Sequence, residues 1–145
     1  MKGLHHLDLN VSDLGRSASF YDRVLTHMGL TRVMDSDGEE AGFDWIAPRG
    51  TNIGYFSIGI VPAKSRGKTH DRFAPGLHHL ALKSETKEAV DALYQTLLQM
   101  DADILDPPAE YPNYGPGYYA VFFLDPDGLK LEYVFARDSA QEIVH

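Results

Sequence analysis

The chain has 145 residues, of which 43% are hydrophobic and 23% charged, and its formal net charge is −8. This composition is typical of a soluble globular protein, and the acidic balance argues against a nucleic-acid partner or an anionic membrane surface. Because the chain has no cysteine, no apolar run of about 18 residues and no signal-peptide core at its N-terminus, we expect a cytoplasmic protein without disulfides, membrane partners or thiolate metal ligands.

The first predicted element is a strand over residues 3–11, where side chains alternate with the period of a strand that has one buried face. His5 falls on the face that carries the apolar residues. The other face holds Leu4, His6, Asp8 and Asn10. Ser12 or Asp13 would cap the helix that follows. Its apolar stripe has helical spacing and ends before a glycine: Leu14, Ala18, Tyr21, Leu25, Met28 and Gly29.

Three further strands are predicted to complete the first half. They cover residues 30–34, 43–47 and 51–61. An acidic segment at 35–40 and the turn at 48–50 separate them.

A seven-residue phrase occurs twice in the chain. Gly-Leu-His-His-Leu-Asp-Leu at residues 3–9 recurs as Gly-Leu-His-His-Leu-Ala-Leu at residues 76–82, shifted by 73 positions. A repeat at a fixed spacing indicates two copies of one structural unit. Histidine is the commonest metal ligand among side chains, so one histidine from each copy is a candidate for a common site.

The second half is predicted to repeat the element order of the first. Its elements are a strand at 77–83, a helix with the stripe Val90, Leu93, Leu97 and Met100, a short strand at 104–105, a loop rich in Pro and Tyr at 106–117, and a hairpin of 118–124 with 129–135. Each half is therefore strand, helix and three strands, which is an α+β fold.

These boundaries predict one domain made of two modules. The first module covers residues 1–62 and the second covers 76–136. A linker at 63–75 joins them, and residues 137–145 form a tail.

The two hairpin turns can be aligned on Pro48 and Pro126, which are 78 positions apart. This alignment places Glu132 opposite Gly54. The increase of the shift from 73 to 78 predicts five extra residues in the second half, in the loop rich in Pro and Tyr.

Three side chains are predicted to lie on the faces of their strands that point away from the helices: His6, His79 and Glu132. Each alternates with the apolar residues of its strand. Two imidazoles and one carboxylate suit a divalent first-row metal such as Fe(II), Mn, Ni or Zn. The alternative is that these histidines are hydrogen-bonded structural residues. His5 and His78 are predicted on the opposite face, in structural or supporting roles.

The chain resembles the vicinal oxygen chelate superfamily, which includes glyoxalase I, extradiol dioxygenases, fosfomycin-resistance thiol transferases and bleomycin-binding proteins. The resemblance covers nearly the whole chain and rests on three segments. These are Leu4-His5-His6-Leu7 before residues 13–21, the repeated phrase at 76–82, and Asp125-Pro126-Asp127-Gly128-Leu129-Lys130-Leu131-Glu132.

The resemblance implies two βαβββ modules forming a curved mixed sheet around a metal site, with His6, His79 and Glu132 as ligands. Many members exchange modules between two chains. It therefore also implies a homodimer, with the ligands supplied by one chain or divided between two.

The resemblance does not select one reaction. Glyoxalase I adds a fourth ligand from its first module, and the aligned position here is Gly54, which has no side chain. An extradiol dioxygenase would use a further His and a Tyr, for which the candidates by position are His70, Tyr55, Tyr114, Tyr118 and Tyr119. The sequence lacks the potassium-binding loop of the fosfomycin enzymes, and bleomycin-binding proteins normally lose the metal ligands that this chain retains.

We therefore expect a metal-dependent lyase, isomerase or dioxygenase acting on a small oxygenated organic substrate chelated to a divalent metal. Tyr114, Tyr118 or His70 would be the acid/base group. The alternative is a bleomycin-resistance-type protein that sequesters a small aromatic toxin without turnover. The aromatic residues available for that role are Trp45, Phe56, Tyr114, Tyr119 and Phe122.

Overall fold

The computed structural model describes residues 3–33, 41–48, 54–65, 67 and 69–137. The chain divides into two units, Met1–His70 and Asp71–His145. Each unit contains one long helix and a four-stranded mixed sheet, which confirms the predicted α+β fold of two βαβββ modules. Within the described residues, no helix has the length and apolar character needed to cross a membrane.

The first unit contains β1 (His6–Val11), α1 (Leu14–His27), β2 (Thr31–Arg32), β3 (Phe43–Ile46) and β4 (Ser57–Pro62). Its strand order is β1-β4-β3-β2, with β1 parallel to β4 and the other pairs antiparallel. Asp13 is the cap of α1, because its side chain accepts a hydrogen bond from the Arg16 amide at 2.9 Å.

The helix of the first unit covers one face of its sheet. The middle of the apolar stripe of α1 is buried, at Ala18, Tyr21 and Leu25, and the helix packs against β2, β3 and β4. The fully buried side chains of this layer are Tyr21, Val24, Leu25, Trp45, Ile58 and Ile60. Because side chains alternate along a strand, Gly59, between Ile58 and Ile60, lies on the other face of the sheet. Its partner on β1, Asp8, lies on that face as well.

The second unit contains β5 (Leu80–Lys83), α2 (Lys87–Gln99), β6 (Ile104–Glu110), a 3-10 turn (Pro112–Tyr114), β7 (Tyr119–Leu124) and β8 (Lys130–Phe135). Its strand order, β5-β8-β7-β6, is that of the first unit. Thr86 caps α2 by accepting from the Ala89 amide at 3.1 Å. The buried stripe of α2 consists of Val90, Leu93 and Leu97, as predicted.

Strand β6 corrects the predicted loop at 106–117. The strand extends to Glu110, through Pro107 and Pro108, where only residues 104–105 were predicted. It lies at the edge of its sheet, and its pairing with β7 shifts register twice. An edge strand can include proline because one side of its backbone has no partner strand.

The pairing of first and last strands corrects the predicted counterpart of Glu132. Asp8 of β1 pairs with Gly59 of β4, and Ala81 of β5 pairs with Glu132 of β8. Both members of the second pair follow those of the first by 73 positions. Glu132 therefore corresponds to Gly59, and the assignment to Gly54 was wrong.

Unequal hairpin loops explain this error. Residues 47–56 connect β3 to β4, whereas residues 125–129 connect β7 to β8, so the first loop is five residues longer. The second half has five extra residues before β7, as predicted, but the longer loop of the first half restores the shift to 73. Aligning the two turns was therefore misleading.

Other strand ends also differ from the predictions. The strand predicted at 51–61 begins at Ser57, and β5 begins at Leu80. The acidic segment at 35–40, part of the turn at 48–50 and most of the tail at 137–145 lie outside the described residues.

Candidate functional site

Among the described residues of the second unit, the most deeply buried charged side chain is Glu132, which is 2% exposed. It lies on the central strand β8, paired with Ala81 on one side and Phe122 on the other. The alternation of β8 places it on the face away from α2, as predicted. A buried carboxylate is costly unless it is hydrogen-bonded or paired, so its partners are informative.

Two side chains satisfy the Glu132 carboxylate. His79, which immediately precedes β5, lies with Nε2 at 3.1 Å from Oε2. Tyr118, which immediately precedes β7, donates its hydroxyl to Oε1. Both residues therefore lie just before a strand that pairs with β8. We call the cluster of His79, Tyr118 and Glu132 the Glu132 triad.

The surroundings shift the pKa of Tyr118 in this triad and the pKa of His78 next to it. Burial, the hydrogen bond to Glu132 and the charge of that carboxylate raise the pKa of Tyr118. Tyr118 therefore remains a neutral hydrogen-bond donor at ordinary pH. Partial desolvation and the positive charges of His79, Lys130 and Arg72 lower the pKa of His78, which favours a neutral imidazole.

An aromatic array adjoins the triad on the same unit. The rings of Tyr111 and Tyr114 stack with centroids 5.8 Å apart, and Tyr114 lies 5.4 Å from the Tyr118 ring. Phe122, the neighbour of Glu132 on β7, contacts Tyr111 edge-on at 5.3 Å. Tyr114 is 67% exposed, so part of the array faces solvent.

The equivalent face of the first unit carries a different set of carboxylates. Gly59 pairs with Asp8 on one side and Asp44 on the other. A Cβ atom on Gly59 would lie 2.5 Å from Oδ1 of Asp8 and 2.6 Å from Oδ1 of Asp44. The two carboxylates therefore converge over a bare backbone position, and His6 lies beside them with Nε2 3.9 Å from Oδ2 of Asp8.

Both copies of the repeated phrase bring adjacent imidazoles together. The Nδ1 atoms of His5 and His6 are 2.9 Å apart, and those of His78 and His79 are 2.7 Å apart. The ring centroids are 5.2 Å and 5.0 Å apart, which is too close for side chains on opposite faces. The prediction that His5 and His78 point away from their neighbours was wrong, because the strands proper begin only at His6 and Leu80.

The predicted site residues are thus divided between the two units. His79, Glu132 and Tyr118 come together, and Tyr114 adjoins Tyr118. His6 belongs to the first unit, and His70 is its last residue, half-buried and outside regular structure. Among the residues that the structure describes, no group of three His, Asp or Glu side chains is arranged to hold a metal ion.

Comparison with known proteins identifies the family. A sequence profile of the Glyoxalase/Bleomycin resistance protein/Dioxygenase superfamily matches residues 3–133. The chain belongs to this superfamily. It is 32% identical to the uncharacterized protein YqjT of Bacillus subtilis, over 90% of this chain and 97% of the relative.

Two further superfamily proteins extend the comparison. The metallothiol transferase FosB of Shouchella clausii is 27% identical over all of this chain and 87% of its own length. A candidate glyoxalase from Bacillus halodurans has a similar structure, with a TM-score of 0.67 and 30% identity over 92% of this chain and 95% of that chain.

Superfamily membership makes the counterpart of Glu132 in the first unit informative. The resemblance to glyoxalase I places a fourth metal ligand at the counterpart of Glu132 in the first module. That counterpart is Gly59 rather than Gly54, and it also lacks a side chain. The first unit therefore has no side chain at the position of the fourth glyoxalase I ligand, whether that position is Gly54 or Gly59.

Asp8 and Asp44 are site residues that the sequence reasoning did not identify. The alternation of the first strand already placed Asp8 on the face of His6. Asp44 could be placed only through the register of β3 with β4, which the predicted turn at 48–50 does not give. Their carboxylates converge because both residues pair with Gly59, which lies between them.

Proposed function

We propose that this protein is a metal-dependent enzyme that acts on a small oxygenated organic molecule. His6, His79 and Glu132 would bind the metal, and two vicinal oxygens of the substrate would chelate it. The observation that carries the proposal is the Glu132 triad: a carboxylate only 2% exposed, with an imidazole Nε2 at 3.1 Å.

The chemistry and spacing of the triad fit a divalent ion. His79 Nε2 and Glu132 Oε2 lie 3.1 Å apart, so these two donor atoms are close enough together to be held by one ion. Imidazole and carboxylate donors without sulfur suit Fe(II), Mn, Ni or Zn. Such an ion would supply Lewis acidity to the chelated oxygens.

The residues around the ligands have roles of their own. Tyr118 donates its one hydroxyl proton to Glu132 in this structure, and it could turn that hydrogen bond to a substrate oxygen once Glu132 binds the metal. Tyr114 offers an exposed ring at the edge of the aromatic array. We propose Tyr118 as the principal acid/base or contact residue, with Tyr114 and His70 as the other candidates.

The relatives support metal dependence without naming the substrate. FosB, at 27% identity, is named a metallothiol transferase, which supports a metal-dependent reaction for this chain. YqjT carries no assigned activity. The reaction of this chain therefore has to be found by assay.

Metal analysis of the purified protein tests the proposal. We expect about one equivalent of Fe(II), Mn(II), Ni(II) or Zn(II) per chain after loading. Glu132→Gln and His79→Ala should each weaken binding by more than about 100-fold, because each removes a direct ligand, whereas loss of a ligand's hydrogen-bond partner typically costs 10- to 100-fold. Glu85→Gln, a neutral substitution at an exposed position, is the matched control and should bind as the wild type does.

A metal-free result would overturn the proposal. If the wild-type protein ignores all four ions, or binds them no better than Glu132→Gln does, the triad is only an internal hydrogen-bonded cluster. In that case Glu132→Gln should change the free energy of unfolding and nothing else.

The aromatic array favours a second function. A sequestering protein would stack a planar ligand on the exposed face of Tyr114 beside Tyr111. Such a protein would bind planar aromatic compounds without metal, and Tyr114→Ala would weaken that binding. Calorimetric titration of the metal-free protein with a panel of these compounds separates this function from the first.

A further inference from the structure

Each proposed histidine ligand is hydrogen-bonded to the histidine that precedes it. In both units the contact joins Nδ1 to Nδ1, at 2.9 Å for His5 with His6 and 2.7 Å for His78 with His79. We infer that His5 and His78 are positioning residues, which hold the ring proton of the next histidine on Nδ1 and leave its Nε2 lone pair for the metal. This inference rests on the proposed function.

The tautomers follow from the requirements of the contact. An Nδ1–Nδ1 hydrogen bond needs a proton on one nitrogen and a lone pair on the other. A histidine that binds metal through Nε2 must carry its ring proton on Nδ1. His79 is then the donor and His78 the acceptor, so the ring proton of His78 is on Nε2.

The assignment applies to the metal-bound protein. In this structure Nε2 of His79 donates to Glu132, and a bound metal would take the place of that proton. In His79 the Nδ1 atom faces His78, and Nε2 faces Glu132 at 3.1 Å. In His6 the Nδ1 atom faces His5, and Nε2 lies on the side of Asp8, 3.9 Å from Oδ2. In both units the imidazole therefore presents Nε2 to a carboxylate and Nδ1 to its neighbour.

The two units are independent copies of this arrangement. The interplanar angles of the two ring pairs are 83° and 78°. Each pair follows a glycine with nearly the same left-handed φ, +133° at Gly3 and +139° at Gly76. The convergent rings are therefore part of the repeated unit and not a local accident of one loop.

An aromatic ring lies against each of His5 and His78. The Tyr55 ring lies 4.6 Å from the His5 ring, and the Phe73 ring lies 6.1 Å from the His78 ring. Ligand histidines usually donate their second N–H to a carboxylate, a carbonyl oxygen or water, and removal of that partner typically costs 10- to 100-fold in metal affinity. Here a neighbouring imidazole takes that place.

Zinc binding by His78 variants tests the inference. His78→Phe removes the acceptor, and we expect the Zn(II) affinity to fall by about 10- to 100-fold. His78→Asn keeps an acceptor oxygen near the position of Nδ1 and should restore most of the affinity. His27→Asn, a change at the end of α1, is the control and should leave the affinity unchanged.

Nitrogen-15 NMR of the zinc-loaded protein supplies a readout that a structural role would not change. The His79 ring should show its proton on Nδ1 in the wild type, in slow exchange with solvent. In His78→Phe that proton should exchange faster, while the thermal unfolding midpoint stays constant because the His78 side chain is exposed.

The outcomes separate the two proposals. If wild-type protein takes up none of Fe(II), Mn(II), Ni(II) and Zn(II), the proposed function fails and this inference fails with it. If wild type binds Zn(II) and His78→Phe binds it equally well, with the same Nδ1 proton exchange, only the inference is overturned. Equal losses in His78→Phe and His78→Asn would also overturn it, because the acceptor would then be irrelevant.

Discussion

Glu132 and Gly59 show how one position can determine the chemistry of a sheet face. Gly59 lies on β4 and Glu132 on β8, and each pairs with one residue on either neighbouring strand. Where the centre is a glutamate, the flanking residues are Ala81 and Phe122. Where the centre is a glycine, both flanking residues are aspartates. The negative charge therefore lies on the neighbouring strands in the first unit and on the central strand β8 in the second.

Removal of the Tyr118 hydroxyl should expose the cost of burying Glu132. In metal-free protein, Tyr118→Phe leaves Oε1 without its donor, and we expect a loss of about 1–3 kcal/mol in the free energy of unfolding. Tyr114→Phe, at a side chain that is 67% exposed, should change it by less than about 0.5 kcal/mol. Urea denaturation measures both, and equal effects would contradict the role assigned to Tyr118.

At the scale of the elements, side-chain contacts connect α2 to strands β7 and β6 of its sheet. The Tyr119 hydroxyl of β7 donates to Oδ1 of Asp91 on α2 at 2.6 Å. Lys87 at the start of α2 pairs with Glu110 at the end of β6. The hydrogen bond to Asp91, with smaller contributions from burial and from Glu110, raises the pKa of Tyr119 to about 12.

The raised pKa of Tyr119 predicts a stability change in alkali. The folded state holds this proton more tightly than the unfolded state, whose tyrosine has a pKa near 10. Its contribution is therefore present below pH 10 and is lost as the pH rises toward about 12. Denaturant unfolding at several pH values should show a smaller alkaline loss for Tyr119→Phe than for wild type; identical slopes would refute the contribution of this bond.

The elements themselves were largely predictable, and the failures have physical causes. Helical spacing and caps identified α1 and α2, because both signals are local in sequence. Strand β6 was missed because Pro107 and Pro108 are usual loop residues, and only its edge position permits them. The contact of His78 with His79 was missed because alternation says nothing about where a strand begins.

The site was predictable only in part for a related reason. His79, Glu132 and Tyr118 were identified from a repeat, a charge among apolar residues and a family resemblance, and the structure brings these three together. The counterpart of Glu132 required the pairing of β1 with β4, which depends on loop lengths that are not visible in local patterns. Asp44 could not be placed for the same reason.

At the scale of the whole molecule, the proposed ligands come from both units. His6 belongs to Met1–His70, whereas His79 and Glu132 belong to Asp71–His145. The proposed site is therefore incomplete in either unit alone. We propose that the protein is a homodimer in which each metal site takes His6 from one chain and the other two ligands from its partner.

A mixed dimer tests this division. Chains carrying His6→Ala and Glu132→Ala are given different affinity tags, co-expressed and purified through both tags. Ligands shared between chains leave one of the two sites intact, so the mixed dimer should bind about half as much metal as wild type. If the mixed dimer binds no more metal than either single variant, all three ligands come from one chain.

The unequal loops at 47–56 and 125–129 also bear on how the two units are compared. Segment lengths differ between β3 and β4 and before β7, yet Asp8 and Gly59 are as far apart in the chain as Ala81 and Glu132, so both partners are shifted by 73 positions between the units. The loop lengths therefore vary between the units, while the parallel strand pair keeps its spacing. Homologous positions in divergent copies of this fold should accordingly be traced along the paired strands rather than through the hairpin turns.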